Sequence, residues 1–197
     1  MTSNNNIYKC ENIKIFDFNG NKIKEINNSK DKAKFIDIYY DNKLSKNFIL
    51  TGNDGYIKSY DYNKNDIYKK YCDNDNNNDH FSIIINESKE DIIIIESSYD
   101  GNLRIWNFHS GELINKIKVS SERLREICMW NNDYIFIGWD DKTIKLIELE
   151  KGIIIKELKG HNKKVISIKS IIHPKYGKCL LSQGDGEDTI KLWINKN

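Results

Sequence analysis

The sequence is short of several residue types, and each shortage excludes something. Of 197 residues, one is proline (Pro174), one is alanine (Ala33), two are methionine and three are arginine. Three guanidinium groups supply bidentate phosphate recognition poorly. The lysines are spread among acidic neighbours and the net charge is +2, so no basic stripe marks a nucleic-acid interface. The longest pure aliphatic run is Ile92 to Ile95, far below the ~20 residues that span a bilayer. The N-terminus, Met-Thr-Ser-Asn-Asn-Asn, has neither the basic start nor the apolar stretch of a secretory signal. Cys10, Cys72, Cys128 and Cys179 are scattered with no C-x-x-C pair, as expected of reduced thiols. Together these absences point to a cytoplasmic or nuclear protein, with neither nucleic acid nor membrane as partner.

What is plentiful is isoleucine, at 34 residues, with 28 lysines and 26 asparagines. Such a skew fits a genome biased toward those codons, so asparagine-rich patches carry little functional meaning. Ile, Leu, Val and Phe make up 54 of the 197 residues, above the range of about 20% typical of disordered chains. A compact globule of this mass hides roughly 70% of its unfolded surface.

The organising feature is a repeat. Five segments resemble one another: Ile13-Lys-Ile-Phe-Asp17, Ile57-Lys-Ser-Tyr-Asp61, Leu103-Arg-Ile-Trp-Asn107, Ile144-Lys-Leu-Ile-Glu148 and Ile190-Lys-Leu-Trp-Ile194. Each reads apolar, basic, variable, then bulky, and their starts lie 44, 46, 41 and 46 residues apart. Between markers, the pattern predicts strands at 67–71, 81–85, 92–97 and 102–108, and again at 113–119, 124–130, 134–138 and 143–149. Turn chemistry such as Ser110-Gly111, Asn131-Asn132-Asp133 and Lys151-Gly152 separates them. Four strands per period in an antiparallel meander, with no sustained helical periodicity, give an all-β fold: a radial, propeller-like array of blades.

The last unit carries a family resemblance. Gly160-His161, followed by Ser182-Gln-Gly-Asp-Gly-Glu-Asp-Thr-Ile-Lys-Leu-Trp193, resembles the Gly-His to Trp-Asp module of WD-repeat (WD40) β-propellers. The resemblance runs from about Ile13 onward, although Tyr60 and Ile147 stand where two other units would have Trp. If the strands of a blade are a to d, the d–a and b–c turns lie at the same end of the sheet. His161 in a d–a turn can then reach a carboxylate in the b–c turn. The resemblance implies a structural tetrad of His161, Ser182, Trp193 and an acid, with Glu187 and Asp188 both open for that place. Other blades keep the b–c acid alone: Asp54, Asp100 and Asp141.

Residues 1–12 are expected to form a partly disordered N-terminal segment, and 13–197 the blades, with markers near 13–18, 57–62, 103–108, 144–149 and 190–194. Three whole blades are expected at about 33–71, 80–118 and 123–158. A c–d pair precedes them, and an a–b–c set (164–171, 179–182 and 189–194) follows. That is about four and a half repeats, so the array is an incomplete or small propeller. Its end blades are expected to leave apolar faces uncovered and open to self-association. The isoleucine runs at 83–85, 92–95 and 153–155 read as core strands.

Catalytic and metal chemistry finds little support. His80, His109, His161 and His173 share no ligand spacing. Asp73, Asp75, Asn77 and Asp79 alternate as in a calcium loop, but Asn78 stands at its glycine position and Ile84 at its glutamate position. Gly184-Asp185-Gly186 lacks the rest of a phosphate loop, and no nucleophile elbow occurs. No enzyme activity, metal or cofactor is therefore expected. Two turn-end features remain as a candidate partner surface: Trp139, and the pair Arg123 and Arg125, residue types enriched in binding hot spots. The reading is a non-catalytic scaffold for protein–protein interaction. Its alternative is a regulatory propeller fragment of a larger multidomain enzyme.

Overall fold

The computed structural model describes residues 12–26, 33, 35–53, 55–73, 80–88 and 91–195. The expected N-terminal segment therefore lies outside the described residues, except for Asn12. Among the described residues there are seventeen strands and no helix. They are β1 (Ile13–Phe16), β2 (Lys22–Ile26), β3 (Phe35–Asp41), β4 (Lys46–Asn53), β5 (Tyr56–Asp61), β6 (Asp66–Tyr71), β7 (His80–Glu87), β8 (Ile92–Ser98) and β9 (Asn102–Asn107). The series continues with β10 (Leu113–Lys118), β11 (Leu124–Met129), β12 (Tyr134–Trp139), β13 (Thr143–Glu148), β14 (Ile153–Lys159), β15 (Val165–His173), β16 (Gly177–Gly184) and β17 (Ile190–Trp193).

Every strand pairs antiparallel with its neighbour in sequence. The result is five successive blades: β1–β2, β3–β6, β7–β10, β11–β14 and β15–β17. The all-β, propeller-like array expected from the repeat is the fold observed.

The turns explain why the chain reverses where it does. Gly101, at φ 77°, follows Asp100 between β8 and β9. A side chain there would place Cβ 2.1 Å from the Ser120 carbonyl oxygen, so only glycine fits. The corresponding residue between β12 and β13 is Lys142, which takes a positive φ of 72° without that freedom.

The cores lie between blades. Phe48, Leu50, Ile57 and Tyr71 of the second blade pack on Ile92, Ile94, Trp106 and Phe108 of the third. Ile95 and Leu103 pack on Leu124, Ile135, Ile137 and Ile147 of the fourth, and Phe136 and Ile144 on Val165, Ile168 and Leu180 of the fifth. Each of the three inner blades thus buries one face on the blade before it and one on the blade after. Fully burying one isoleucine this way stabilises the fold by about 1.5–3 kcal/mol.

Position within the blade decides the fate of similar sequences. Ile92, Ile94 and Ile95, on a second strand, are buried. Ile153, Ile154 and Ile155 were expected in the core, but they lie on the outermost strand and are 47–49% exposed. This outer strand is exposed along nearly its whole length. At the two ends of the array, Ile36 and Ile38 on β3 and Ile190 and Leu192 on β17 are also exposed.

Candidate functional site

The b–c and d–a turns gather at one end of the blades, and their acids are answered by a recurring cation. Asp100 Oδ2 lies 2.5 Å from Arg104 Nη2, Asp141 Oδ2 2.6 Å from Lys145 Nζ, and Glu187 Oε2 3.3 Å from Lys191 Nζ. In each case the basic second residue of the marker stands four positions after the acid. The same spacing joins Asp54 to Lys58 in sequence, though Asp54 lies outside the described residues. Asp100 and Asp141 also accept hydrogen bonds from the backbone N–H groups of Asn102 and Thr143, which closes the turn. Burial opposes ionisation of Asp100, but Arg104 and Asn102 outweigh it and hold the carboxyl at about 2.

The fifth blade assembles a hydrogen-bonded chain that ends on a carboxylate. Trp193 Nε1–H donates to Ser182 Oγ at 2.7 Å, and Ser182 Oγ lies 2.6 Å from His161 Nε2. His161 Nδ1 lies 2.5 Å from Glu187 Oε2. An indole N–H can only donate, so Ser182 accepts it and gives its own proton to Nε2, leaving Nδ1–H to donate to Glu187. The acid is Glu187, and Asp188 stands exposed. Gly184 makes the room: a Cβ there would stand 2.6 Å from Glu187 Cδ. His161, and against some cost of burial the N–H groups of Asn162 and Lys163, hold the Glu187 carboxyl at about 2.

The third blade solves the same geometry with charge. Glu96 pairs with Arg104 across β8 and β9, just as Ser182 pairs with Lys191 across β16 and β17. Glu96 thus occupies the serine position, and its Oε2 accepts Trp106 Nε1–H at 2.8 Å. Arg104, only 2% exposed, reaches Asp73 Oδ2 at 2.7 Å, Asp100 Oδ2 at 2.5 Å and Glu96 Oε1 at 3.5 Å. Lys116 Nζ joins Asp73 at 3.0 Å. Sequence reasoning missed Glu96, Arg104 and Asp73, of which only Arg104 was signalled, by standing four residues after Asp100.

The fourth blade has no such chain, and here the expected partner surface needs correction. Ile137 and Ile147 take the polar and bulky positions, both buried. Trp139 is 3% exposed and packs in the core with Ile137, its ring beneath Lys145 Nζ at 3.6 Å. A partner cannot reach it. Arg125 is also buried; it pairs with Asp140 and stacks over Phe81 and Tyr99 at 5.2 Å each. Of the three residues, Arg123 alone stays exposed, its guanidinium 5.0 Å from the centre of the Tyr99 ring. Tyr99 and Phe81, stacked at 5.6 Å and partly exposed, complete this patch.

The histidines act locally. His173 Nδ1 accepts the backbone N–H groups of Lys175 and Tyr176, and His109 Nδ1 lies 3.0 Å from Tyr68 Oη. Among the described residues no group of three or more His, Cys, Asp or Glu side chains is placed to hold a metal ion. Of the calcium-like alternation, Asp73 is committed to Arg104 and Lys116, while Asp75, Asn77 and Asp79 lie outside the described residues.

Comparison with known proteins agrees with this architecture. The chain superposes on the WD40 β-propeller domain of Doa1 with a TM-score of 0.59 and 16% identity, covering 74% of this chain and 46% of that one. The computationally designed Ika4 protein matches with a TM-score of 0.55, again at 16% identity, over 75% of this chain and 84% of its own. In sequence, 102 residues are 31% identical to the U3 small nucleolar RNA-associated protein 21 homolog of Schizosaccharomyces pombe, covering 51% of this chain and 11% of that protein. Autophagy-related protein 16 of Arabidopsis thaliana is 25% identical over 76 residues, or 38% of this chain and 15% of its own length. The chain therefore spans a small part of the curated relatives it matches. No family model matches. The fold is that of a WD40 β-propeller.

Proposed function

We propose that this run of WD-repeat blades serves as a non-catalytic scaffold for protein–protein interaction, with the turn end of the third and fourth blades as its contact surface. The observation that carries the reading is the Arg123–Tyr99–Phe81 patch. It is an exposed arginine on an aromatic ring, held over a base made rigid by the Arg125–Asp140 and Arg104–Asp100 ion pairs. Arginine and tyrosine carry binding energy out of proportion to their area when their support is fixed. One relative is RNA-associated by name, yet Arg104 and Arg125 are consumed in buried pairs and Arg123 is the single exposed arginine, which favours a protein partner. The relatives' names, one nucleolar RNA-associated and one autophagy-related, support a cytoplasmic or nuclear setting.

The test is affinity capture with Arg123→Ala and Tyr99→Ala beside the parent. Specific partners should be lost while the melting midpoint holds; an unchanged partner set refutes the assignment. A second reading, a regulatory propeller within a larger multidomain enzyme, is favoured by the small share of the relatives' lengths that the chain spans. Self-association through the exposed Ile36–Ile38 and Ile190–Leu192 faces belongs to the same proposal, with a second copy as occupant, since like faces cover one another between the inner blades. Light scattering that finds a monomer at high concentration removes it.

A further inference from the structure

The inner strands line a second, open feature, which meets the turn-end patch at Phe81. A cavity of about 280 Å³ lies between β3, β7 and β11, with Phe35, Asp37, Phe81, Ser82 and Glu126 among its walls. We propose that this cavity receives a single cationic side chain, a lysine-type primary ammonium, presented by a partner protein. The proposal rests on the interaction reading in that the cation arrives on a partner, and the cavity shares Phe81 with the Arg123 patch.

The argument begins with Glu126. Its carboxyl is partly buried on β11, and burial pushes its pKa up, with the Ser82 hydroxyl as the one favourable contact. Among the described residues no lysine or arginine pairs with it. Glu96 and Asp100 are matched by Arg104, Asp61 by Lys46 and Asp141 by Lys145, and the buried Asp41 faces His109 Nε2 at 3.3 Å. A desolvated carboxylate facing a cavity without its counter-charge is a site tuned for an incoming cation.

The surroundings set the kind of cation. The volume falls just below the roughly 300–1,000 Å³ of pockets that take a whole small ligand, and suits one side chain. Phe35 and Phe81 offer aromatic rings, which attract a cation, and Phe81 already carries Arg125 at 5.2 Å. The two Glu126 oxygens and the Ser82 oxygen match the three N–H donors of an ammonium, whereas a guanidinium brings five in a rigid plane. Asp37, exposed on β3, adds a second negative charge at the wall.

The experiment titrates the full chain with Nα-acetyl-lysine methylamide, followed by NMR. Saturable binding near about 1 mM is expected, weakened at least about tenfold by acetylation of the probe's ε-amine and by Glu126→Gln. Because Glu126→Gln removes an uncompensated charge, its melting midpoint should be equal or higher, so loss of binding is not loss of fold. No saturation by about 20 mM, equal binding by the variant, equal binding of the acetylated probe, or tighter binding of the arginine analogue would each overturn the assignment. Any of these results leaves the Arg123 surface standing, since that surface is read by a different variant.

Discussion

The third and fifth blades present one backbone register and two chemistries. In both, a tryptophan on the c strand (Trp106, Trp193) donates its indole N–H to the residue on the b strand that faces the marker's basic position. In the fifth blade that residue is Ser182, and the chain ends through His161 on Glu187. In the third it is Glu96, and Arg104 gathers Glu96, Asp100 and Asp73 around one guanidinium. The comparison teaches that the blade needs the indole answered and the turn acid neutralised, whichever groups do it. It also separates the costs: cutting the fifth-blade chain at Ser182 loses two hydrogen bonds, whereas removing the guanidinium of the third blade leaves buried charge behind.

The sharpest way to break the comparison is Arg104→Met. It takes the guanidinium from three carboxylates, of which Glu96 is fully buried while Asp73 keeps Lys116, and should cost about 3–5 kcal/mol by urea denaturation. Ser182→Ala should cost less, about 1–3 kcal/mol, because it orphans only the Trp193 N–H and one histidine nitrogen. If the two variants lose equal stability, the distinction between the guanidinium cluster and the hydrogen-bonded chain fails.

Acid acts on the turn acids of both blades. Asp100 titrates at about 2 in the folded chain, against about 3.9 when unfolded, so its contribution is present above pH ~4 and lost as pH falls toward 2. The parent's urea midpoint should therefore fall across this window. In Arg104→Met, which no longer depresses Asp100, the fall should be shallower; parallel curves would remove Arg104 as the cause.

The smallest effect comes from the turns. Lys142 holds the left-handed conformation that Gly101 holds in the third blade, so Lys142→Gly should raise stability by up to about 1 kcal/mol. A loss would show that the lysine side chain contributes more than its strain costs.

Much of this was legible before any coordinates. The marker spacing located the c strands because a strand needs only local alternation and a turn residue at each end, and β1, β5 and β13 overlap the markers. Ile153–Ile155 and Ile92–Ile95 were not distinguishable, since burial there depends on which strand of the blade carries the run. Trp139 was misjudged for a reason the strand period could have corrected. Ile135, Ile137 and Trp139 alternate onto one face, and the first two are core residues. Asp73 was beyond reach, because a loop residue 31 positions from Arg104 meets it only through the fold.

The central claim is that each polar chain holds its own blade. Native-state hydrogen exchange on Arg104→Met and Ser182→Ala, read at the amides of β9 and β17, tests it most directly. The account predicts that the first variant speeds exchange in β7–β10 and spares β15–β17, and that the second does the reverse. Uniform acceleration of both regions by either variant would contradict it.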